Sequence, residues 1–406
     1  MHKIVEPYYD EAYNCIRCGV CQSVCPVYAV EKHEGTVARG KIRLVRELVE
    51  GKVELTPRLR SFMDLCLGCG ACTENCPPKV RGDKIVTAAR AQFVKDQGLP
   101  FVFNIGLRWV LKNPALTQGV FSSLGIARST AVNKLLPKSL KELEDIIPPL
   151  PKETFWQLYK KRQPLKSEKK VGYFVGCMTN LVFPQVGLAV LDVLERHGYE
   201  VVVPQAYCCG IPHYISGDVD TARALAEKNM KVFLESGVGT ILTDCGSCGG
   251  TLKEYTEWLD REDARAFSKK IRDISEFLVN EVKVEPGTQE VAGTVTYHDS
   301  CHLNRSMGVK TEPRELLKAI KGLKFVELPE ADRCCGGAGT FNFKKYDVSM
   351  KILKRKMANA ESTEAEALAV GCPGCRIQLS HGIRKYSHNL KNVVHPVELL
   401  ARSYEV

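Results

Sequence analysis

Apolar residues recur at helical spacing through the first third of the chain. In residues 40–65 they return every three or four positions in two stretches: Ile42, Val45, Leu48 and Val49, then Leu59, Phe62, Met63 and Leu65. Residues 103–136 follow the same period and predict two more amphipathic helices, which Asn113-Pro114 separates because proline interrupts a helix. We therefore predict that this part of the protein is helical.

Beyond residue 168, short apolar runs alternate with amphipathic stretches. The runs predict six strands, at 169–176, 199–205, 239–244, 294–300, 324–330 and 366–371, and the stretches between them predict helices such as 187–198 and 221–237. Strands that alternate with helices are typical of α/β structures with mainly parallel sheets. The predicted fold class is α+β multidomain, with a helical N-terminal part followed by two α/β halves.

The two α/β halves carry the same arrangement of cysteines. A first cysteine set is matched 124 to 127 positions later by a second cysteine set: Cys177, Cys208, Cys209, Cys245 and Cys248, then Cys301, Cys334, Cys335, Cys372 and Cys375. Neighbouring residues match as well, for example Asn180 with Asn304 and Met230 with Met357. The matching sets indicate two copies of one fold. Each cysteine group follows a predicted strand, at the edge where open α/β sheets bind ligands.

The other eight cysteines lie within residues 1–90 in two runs with the spacing C-x2-C-x2-C-x3-C-P. The runs are Cys15, Cys18, Cys21 and Cys25, then Cys66, Cys69, Cys72 and Cys76. This is the spacing of bacterial two-cluster ferredoxins, in which three close thiolates bind one cube and the fourth binds its neighbour. We therefore assign Cys15, Cys18, Cys21 and Cys76 to a first cubane cluster, and Cys66, Cys69, Cys72 and Cys25 to a second.

The 40 residues between these runs are longer and more helical than a small β-rich ferredoxin requires. In this respect the region resembles the α-helical ferredoxin module in the iron–sulfur subunits of succinate dehydrogenase and its relatives. The alternative is a pair of zinc knuckles. Zinc sites use paired C-x2-C units and have no use for a triplet plus one, so we expect two [4Fe–4S] clusters.

The N-terminal sequence, the length of the apolar runs and the cysteine content indicate where in the cell the protein works. The N-terminal residues lack the apolar core of a signal peptide, and no apolar run reaches the roughly 20 residues of a membrane span. We therefore expect a cytoplasmic protein, either free or held at the inner face of a membrane by a partner. In that reducing compartment, 18 cysteines are expected to bind metal and not to form disulfides.

The formal net charge of +10 counts cysteines as neutral, whereas iron–sulfur ligation requires thiolates. Cluster charge would therefore offset much of the excess. We expect the basic residues to balance the clusters and to dock an acidic partner or anionic lipid, and we expect no nucleic acid partner.

The cysteine sets of the two halves have the patterns C-x30-CCG-x35-C-x2-C and C-x32-CCG-x36-C-x2-C. They resemble the cysteine-rich CCG domains of heterodisulfide reductase-like proteins, which implies a non-cubane [4Fe–4S] cluster in each complete motif. The first motif is often incomplete in oxidase-type subunits but is complete here, which favours two such clusters. The alternative is zinc or a single cubane cluster in one or both copies.

The whole chain, a two-cluster ferredoxin followed by two CCG domains, resembles two kinds of subunit. One is the iron–sulfur subunit of glycolate or D-lactate oxidase, and the other is the ferredoxin-fused heterodisulfide reductase subunit. The resemblance implies an oxidoreductase subunit that relays single electrons from a flavoprotein to a quinone or other carrier. The alternative is a catalytic subunit that cleaves a disulfide at the non-cubane clusters.

A substrate site, if the chain has one, is expected at Cys301, Cys334 and Cys335. His302 follows Cys301 and is expected either to donate a proton to a substrate thiol or to hydrogen-bond near the cluster. His213 has a similar place after the first CCG motif, and Asp244 and Asp299 are expected to cap loops. The sequence has no G-x-G-x-x-G fingerprint, so we expect FAD to lie on a partner dehydrogenase subunit.

These patterns divide the chain into four parts: 1–90, a ferredoxin-type domain; 91–168, a helical connector; 169–290, the first CCG domain; and 291–406, the second. The connector is expected either to pack on its neighbours or to form a docking surface for a redox partner or membrane anchor. The candidate docking residues are Phe101, Phe103, Trp109 and Phe121.

Overall fold

The computed structural model describes residues 3–100, 104–129 and 145–404. Its N-terminal part is helical, as the apolar periodicity predicts. The helices are Tyr9–Tyr13, Val20–Val24, Pro26–Glu31, Ala38–Val49, Pro57–Asp64, Ala71–Glu74 and Gly82–Gln97, with short 3-10 turns at Glu6–Tyr8 and Glu34–Thr36.

The longer N-terminal helices pack around one small core. Ile42, Val45 and Leu48 face Leu59 and Met63 there, and all five side chains are buried. Thr56 begins the helix Pro57–Asp64 by accepting a hydrogen bond from the Leu59 amide, and proline suits the first helical position. Leu65, which the periodicity assigned to this helix, is the residue after its end.

The two C-terminal halves each form a four-stranded parallel sheet. The first contains β1 (Lys170–Tyr173), β2 (Glu200–Val202), β3 (Ile241–Thr243) and β4 (Ile271–Asp273), in the order β2-β1-β3-β4. The second contains β5 (Gly293–His298), β6 (Leu323–Phe325), β7 (Ala367–Val370) and β8 (Asn392–Val394), in the order β6-β5-β7-β8. The shared order supports two copies of one fold.

All six predicted strands are present, although β6 ends at Phe325 and not near residue 330. Pro329 lacks an amide hydrogen and cannot continue a sheet ladder. The sequence pattern missed β4 and β8, which hold only one and two apolar residues and do not belong to a longer apolar run. In register, Tyr173 pairs with Leu242 in the first sheet, and Tyr297 pairs with Ala369 in the second.

Helices cover both sheets. Those of the first half are Phe155–Tyr159, Cys177–Leu181, Pro184–Arg196, Ile211–Ile215, Val219–Glu235, Gly246–Leu259, Glu262–Lys269 and Ile274–Phe277. A π-helical turn, Leu278–Val282, continues the last of them. Those of the second half are Cys301–Arg305, Glu312–Ala319, Phe341–Lys344, Tyr346–Glu361, Pro373–Tyr386 and Pro396–Arg402.

The two halves share their hydrophobic cores. Leu303 of the second half lies in one cluster with Leu252 of the first, and Val397 lies in another with Val190. Gly246 donates its amide hydrogen to the Gly371 carbonyl at 2.9 Å. A β-carbon on Gly246 would lie 2.6 Å from that of Leu303, so only glycine allows this approach. The halves therefore fold against each other and not as two separate globules.

The structure shifts two of the expected domain limits. The helix Gly82–Gln97 runs past residue 90 because its buried face, which includes Ile85 and Phe93, completes the N-terminal core. At the other end of the connector, Phe155 is buried in the core of the first half beside Tyr173. The connector between the packed units is thus shorter than 91–168.

The described part of the connector contains the helices Ile105–Leu111 and Pro114–Ser129, separated at Asn113-Pro114 as predicted. Arg108 fixes the first of them by an ion pair with buried Asp218 at 2.8 Å. Trp109 is 67% exposed, which suits the docking alternative, whereas Phe101 and Phe103 lie outside the described residues. Among the described residues, no helix combines the length and apolar character that crossing a membrane requires.

Candidate iron–sulfur centres

Four cysteines of the N-terminal part line one cavity, called here the first ferredoxin cavity: Cys15, Cys18, Cys21 and Cys76. Gly19, at φ +89°, turns the chain between Cys18 and Cys21, and Pro77 and Pro78 close the side next to Cys76. These are the residues that the sequence assigned to the first cubane cluster. Cys18 is exposed, so this cavity lies at the protein surface.

A neighbouring second ferredoxin cavity is lined by Cys25, Cys66, Cys69 and Cys72, which the sequence assigned to the second cubane cluster. Cys72 also borders the first cavity, so the two are adjacent. Burial raises the pKa of the Cys72 thiol well above its ordinary value, and it raises that of Cys25 as well. Buried thiols of this kind give up their protons when a metal cation replaces them.

Lys41 provides a test of whether an anionic cluster fits the second ferredoxin cavity. Its ammonium group is buried and donates to the carbonyls of Thr36 and Leu65, both at 2.7 Å. No carboxylate forms an ion pair with it among the described residues. Burial lowers the pKa of Lys41, because an unpaired buried cation is costly, and the groups that oppose this shift are the thiolates, with Cys66 and Cys25 foremost. Four thiolates holding a negatively charged cluster would therefore complete this site.

Cys69 connects the ferredoxin part to the second half. Although it lines the second ferredoxin cavity, its thiol hydrogen-bonds with those of Cys301 and Cys334. Arg305 strengthens this contact, because it pairs with Glu74 at 2.8 Å and donates to the Cys69 carbonyl. The second ferredoxin cavity and the second cysteine set are therefore neighbours.

The thiols of the second cysteine set form one connected group. Cys334 contacts Cys301 and Cys335, and Cys375 contacts Cys335 and Cys372. Gly336, which follows the adjacent cysteines, has a φ of +90°, a conformation that side chains disfavour. Lys356 is buried beside this set and donates to the carbonyls of Glu330 and Ala331, so a second ammonium faces thiols without a carboxylate partner among the described residues.

The thiols of the first cysteine set are connected in the same way. Cys208 contacts Cys177 and Cys209, and Cys248 contacts Cys209 and Cys245. Asn229 donates to the Cys208 carbonyl at 3.1 Å, and Tyr255 donates to that of Cys209 at 2.9 Å. These bonds hold the main chain of the adjacent cysteines.

A cleft reaches the first cysteine set from the surface. Cys177 and Cys208 line its inner end, and Trp156, Lys160 and Gln118 lie along its walls. The helices of the connector therefore cover one side of this set. The sequence predicts a substrate site at Cys301, Cys334 and Cys335, and this cleft reaches the first set.

The two sets meet at Cys245 and Cys372, whose sulfur atoms lie 3.9 Å apart. The glycines around Cys245 serve this contact. A β-carbon on Gly249 would come within 2.3 Å of the Met307 sulfur, and one on Gly250 within 2.9 Å of Ser306. Their positions give room to the other half of the protein.

The polar candidates from the sequence have more specific positions than expected. His302 spans two units, with Nε2 at 3.2 Å from the Gly68 carbonyl and Nδ1 at 3.4 Å from the Ser247 hydroxyl. His213 is buried beside Asp218 at 3.4 Å. Both partners of His302 are protein groups, which favours the hydrogen-bonding alternative over proton donation to a substrate.

Asp244 and Asp299 were expected to cap loops, but their carboxylates contact side chains of neighbouring strands and helices instead. Asp244 accepts hydrogen bonds from Tyr173 at 2.8 Å and from Thr179 at 2.6 Å, and it is fully buried. Burial raises the pKa of its carboxyl to about 6. Asp299 forms an ion pair with Arg314 at 2.8 Å. Both residues join helices to the cysteine-bearing ends of the strands.

His298 is the residue that the sequence reasoning missed. It is fully buried at the end of β5, and one of its ring nitrogens lies within 4.8 Å of the sulfurs of Cys335 and Cys375. The available signal was its position three residues before Cys301, where the first half has Phe174. Comparing the repeats position by position would have found it.

Comparison with known proteins agrees with this arrangement. Residues 11–80 match the 4Fe–4S dicluster domain, and residues 171–253 and 295–380 each match the cysteine-rich CCG domain. The probable glycolate oxidase iron–sulfur subunit of Bacillus subtilis is 32% identical over 424 residues, which cover 96% of this chain and 93% of that protein. The chain belongs to the family of this iron–sulfur subunit.

Other members of the wider group are similar over different lengths. One fumarate reductase (CoM/CoB) subunit, from Methanothermobacter marburgensis, is 29% identical, over 98% of this chain and 74% of that protein. Lactate utilization protein A of Oceanobacillus iheyensis is 37% identical, over 57% of this chain and 96% of that protein.

Family membership confirms the expected fold class and cofactor chemistry. The protein is an electron-transfer iron–sulfur subunit of an oxidoreductase, with a dicluster domain followed by two CCG domains and with several [4Fe–4S] clusters. Its relatives are subunits of larger enzymes, so it works with partner subunits.

Proposed function

We propose that the chain is the electron-transfer subunit of a flavin-linked oxidoreductase that oxidises a 2-hydroxy acid of the glycolate or lactate type. One observation carries this proposal: the cysteine groups form a continuous series from exposed Cys18 to the buried end of the first half. The two ferredoxin cavities share Cys72, Cys69 contacts the second cysteine set, and Cys372 contacts the first. The names of the B. subtilis and O. iheyensis relatives supply the substrate class.

In this proposal each cysteine group binds its own iron–sulfur cluster. The first cubane cluster is held by Cys15, Cys18, Cys21 and Cys76, the second by Cys66, Cys69, Cys72 and Cys25, and one further cluster, of the non-cubane kind, is held by each of the two five-cysteine sets. When bound, such clusters supply one-electron carriers. The chain itself keeps these groups adjacent, buries eight of the ten cysteines of the two five-cysteine sets, and balances charge with Lys41 and Lys356.

The surface beside Cys18 is the proposed contact for the FAD-containing dehydrogenase subunit. A groove there is lined by four arginines, two glutamates and an apolar floor: Arg17, Arg39, Arg43 and Arg58, Glu34 and Glu54, and Leu44 and Phe62. Arg39 pairs with Glu34 at 2.6 Å, and the arginines outnumber the glutamates. Arg17 and Arg39 also line the first ferredoxin cavity. An acidic partner surface would complement this groove and bring its flavin close to the outermost cysteine group.

Anaerobic purification from the native host tests the proposal. We expect an FAD-containing dehydrogenase to copurify, and roughly sixteen iron atoms with matching sulfide per chain. Adding glycolate or lactate should bleach the visible absorption of the complex. Arg39→Glu should slow this bleaching at low salt, whereas Lys231→Glu, a charge change at an exposed helix position far along the chain, should leave it unchanged. Bleaching by neither acid, with the clusters intact, contradicts the assigned substrate class.

The second candidate function is reduction of a disulfide. The cleft that ends at Cys177 and Cys208 favours it, because a small disulfide entering there would reach cysteines of a complete CCG motif. The reaction consumes two electrons and two protons and releases two thiols. Turnover of a small disulfide with reduced viologen as donor would support this candidate, and absence of turnover in the fully loaded protein favours electron transfer alone.

A further inference from the structure

The proposed function assigns no role to His298, whose side chain lies beside the second cysteine set. Its side chain is fully buried. Nδ1 lies 3.0 Å from the Ala331 carbonyl oxygen, while Nε2 has no hydrogen-bond partner among the described residues. A ring nitrogen and the sulfurs of Cys335 and Cys375 all lie within 4.8 Å of one another.

These contacts determine which nitrogen carries the hydrogen. A carbonyl oxygen can only accept, so Nδ1 must donate to Ala331, and in the neutral ring the lone pair is then on Nε2. This lone pair is buried, and it has no hydrogen-bond partner among the described residues. Histidines that bind metals show this pattern, with one nitrogen donating to a main-chain carbonyl and the other directed at the metal.

The first half lacks this nitrogen. The position that corresponds to His298 is Phe174, which lies three residues before Cys177 as His298 lies three before Cys301. Phe174 is fully buried and stacks on Phe233 with ring centroids 5.8 Å apart. Two otherwise matching sites therefore differ in one side chain that can bind metal.

We propose that Nε2 of His298 binds an iron atom of the cluster held by the second cysteine set, which makes this a mixed nitrogen and sulfur site. The inference rests on the proposed cluster at that set and adds its ligand chemistry. Both sets keep five cysteines, so imidazole adds a neutral nitrogen ligand to the second site and replaces none of its sulfurs. The second CCG site, which Cys69 connects to the ferredoxin cavities, should therefore show nitrogen ligation that the first site lacks.

Pulsed EPR of the anaerobically reduced full-length protein tests the ligand directly. In protein labelled with 15N-histidine, we expect the nitrogen coupling of one C-terminal signal to change to that of 15N. His298→Gln and His298→Phe should abolish the coupling. His381→Gln is the matched control, because His381 also hydrogen-bonds through Nδ1 to a main-chain carbonyl, that of Asp145, and also has a buried, unpartnered Nε2.

The possible outcomes distinguish failure of the proposed histidine ligand from failure of the proposed clusters. A full complement of iron and sulfide without histidine coupling in the labelled wild-type protein overturns the ligand and leaves the proposed function standing. Coupling that persists in His298→Gln, or that disappears in His381→Gln, also overturns it. A protein that retains no iron at the second cysteine set overturns both. Because the labelling experiment needs no substitution, misfolding of a variant does not obscure the result.

Discussion

The sulfur of Cys245 lies 3.9 Å from the sulfur of Cys372, although the two residues are 127 positions apart and belong to different halves of the repeat. The Ser247 hydroxyl lies 3.3 Å from the same Cys372 sulfur. Each cysteine immediately precedes a helix, Gly246–Leu259 or Pro373–Tyr386, and the two helix starts face each other. The two cysteine sets of the repeat are therefore adjacent at Cys245 and Cys372.

The first prediction concerns magnetic coupling between the two C-terminal sites. Centres whose ligands touch are close enough for their unpaired spins to interact when both are reduced. We expect EPR spectra of the fully reduced protein to show broadened or split signals that are not the sum of isolated centres.

A double variant, Cys208→Ala with Cys209→Ala, provides the comparison because it removes two ligands from the first cysteine set only. The remaining C-terminal signal should sharpen in this variant. Spectra that equal a simple sum of separate signals would contradict close contact between the two sites.

The second prediction concerns Lys41. Reduction adds negative charge, which the buried ammonium stabilises, so Lys41→Met should make the neighbouring cubane cluster harder to reduce. At an effective dielectric constant of about 20, the loss of a neighbouring unit charge is on the order of 1–2 kcal/mol. That corresponds to a potential roughly 40–90 mV more negative. An EPR-monitored redox titration measures the change.

Lys52→Met is the control for Lys41→Met. Lys52 lies in the same part of the chain, but its side chain is 63% exposed and pairs with Glu50 at the surface. Its removal should move the potential little, because solvent screens an exposed charge. Equal shifts in the two variants, at equal iron content, would show that burial of Lys41 has no special effect.

Much of this structure follows from local sequence patterns. The period of Ile42, Val45 and Leu48 predicts a helix whose apolar face must be buried, and the structure has that helix with that face inward. The spacing of Cys66, Cys69 and Cys72 confines three sulfurs to one short loop, so they line one cavity whatever surrounds them. Signals of this kind are contained within a few neighbouring residues.

What could not be predicted depends on contacts between distant segments. Nothing near Cys69 indicates that its thiol meets Cys301, because that contact depends on how the ferredoxin part packs on the second half. The glycine at position 246 is informative only once Leu303 is known to lie against it. The sequence therefore reveals the metal-binding groups but not their order in space.

The third prediction concerns pH. Burial raises the pKa of the Asp273 carboxyl to about 7, and one of its oxygens has no hydrogen-bond partner among the described residues. The folded protein therefore holds a proton that the unfolded chain releases near its ordinary pKa of about 3.9. Stability is unaffected by this group below that pH. It falls as the pH rises from about 3.9 to about 7, by about 4 kcal/mol in total, and the loss levels off at higher pH.

Asp273→Asn should remove this dependence and keep the helix cap, because the amide oxygen can still accept from the Ser275 amide. We expect the thermal midpoint of the anaerobic protein to be higher in Asp273→Asn than in wild type at pH 8, with a smaller difference at pH 6. A difference that stays constant between these two pH values would show that Asp273 does not titrate in this window.

The last prediction tests the contact between the halves. A β-carbon on Gly246 would lie 2.6 Å from the Leu303 β-carbon and 3.0 Å from the Leu303 amide nitrogen, and the main chain there cannot move aside as a flexible side chain would. Gly246→Ala should therefore lower the free energy of unfolding by about 1–3 kcal/mol, the usual cost of overpacking. It should also weaken the magnetic coupling, because separating the halves moves Cys245 away from Cys372.

Gly239→Ala is the control, since nothing lies within 4 Å of a β-carbon there, and its effect should stay within about 0.5 kcal/mol. If Gly246→Ala lowered stability but left the coupling unchanged, the two cysteine sets would be held together by something other than this packed interface.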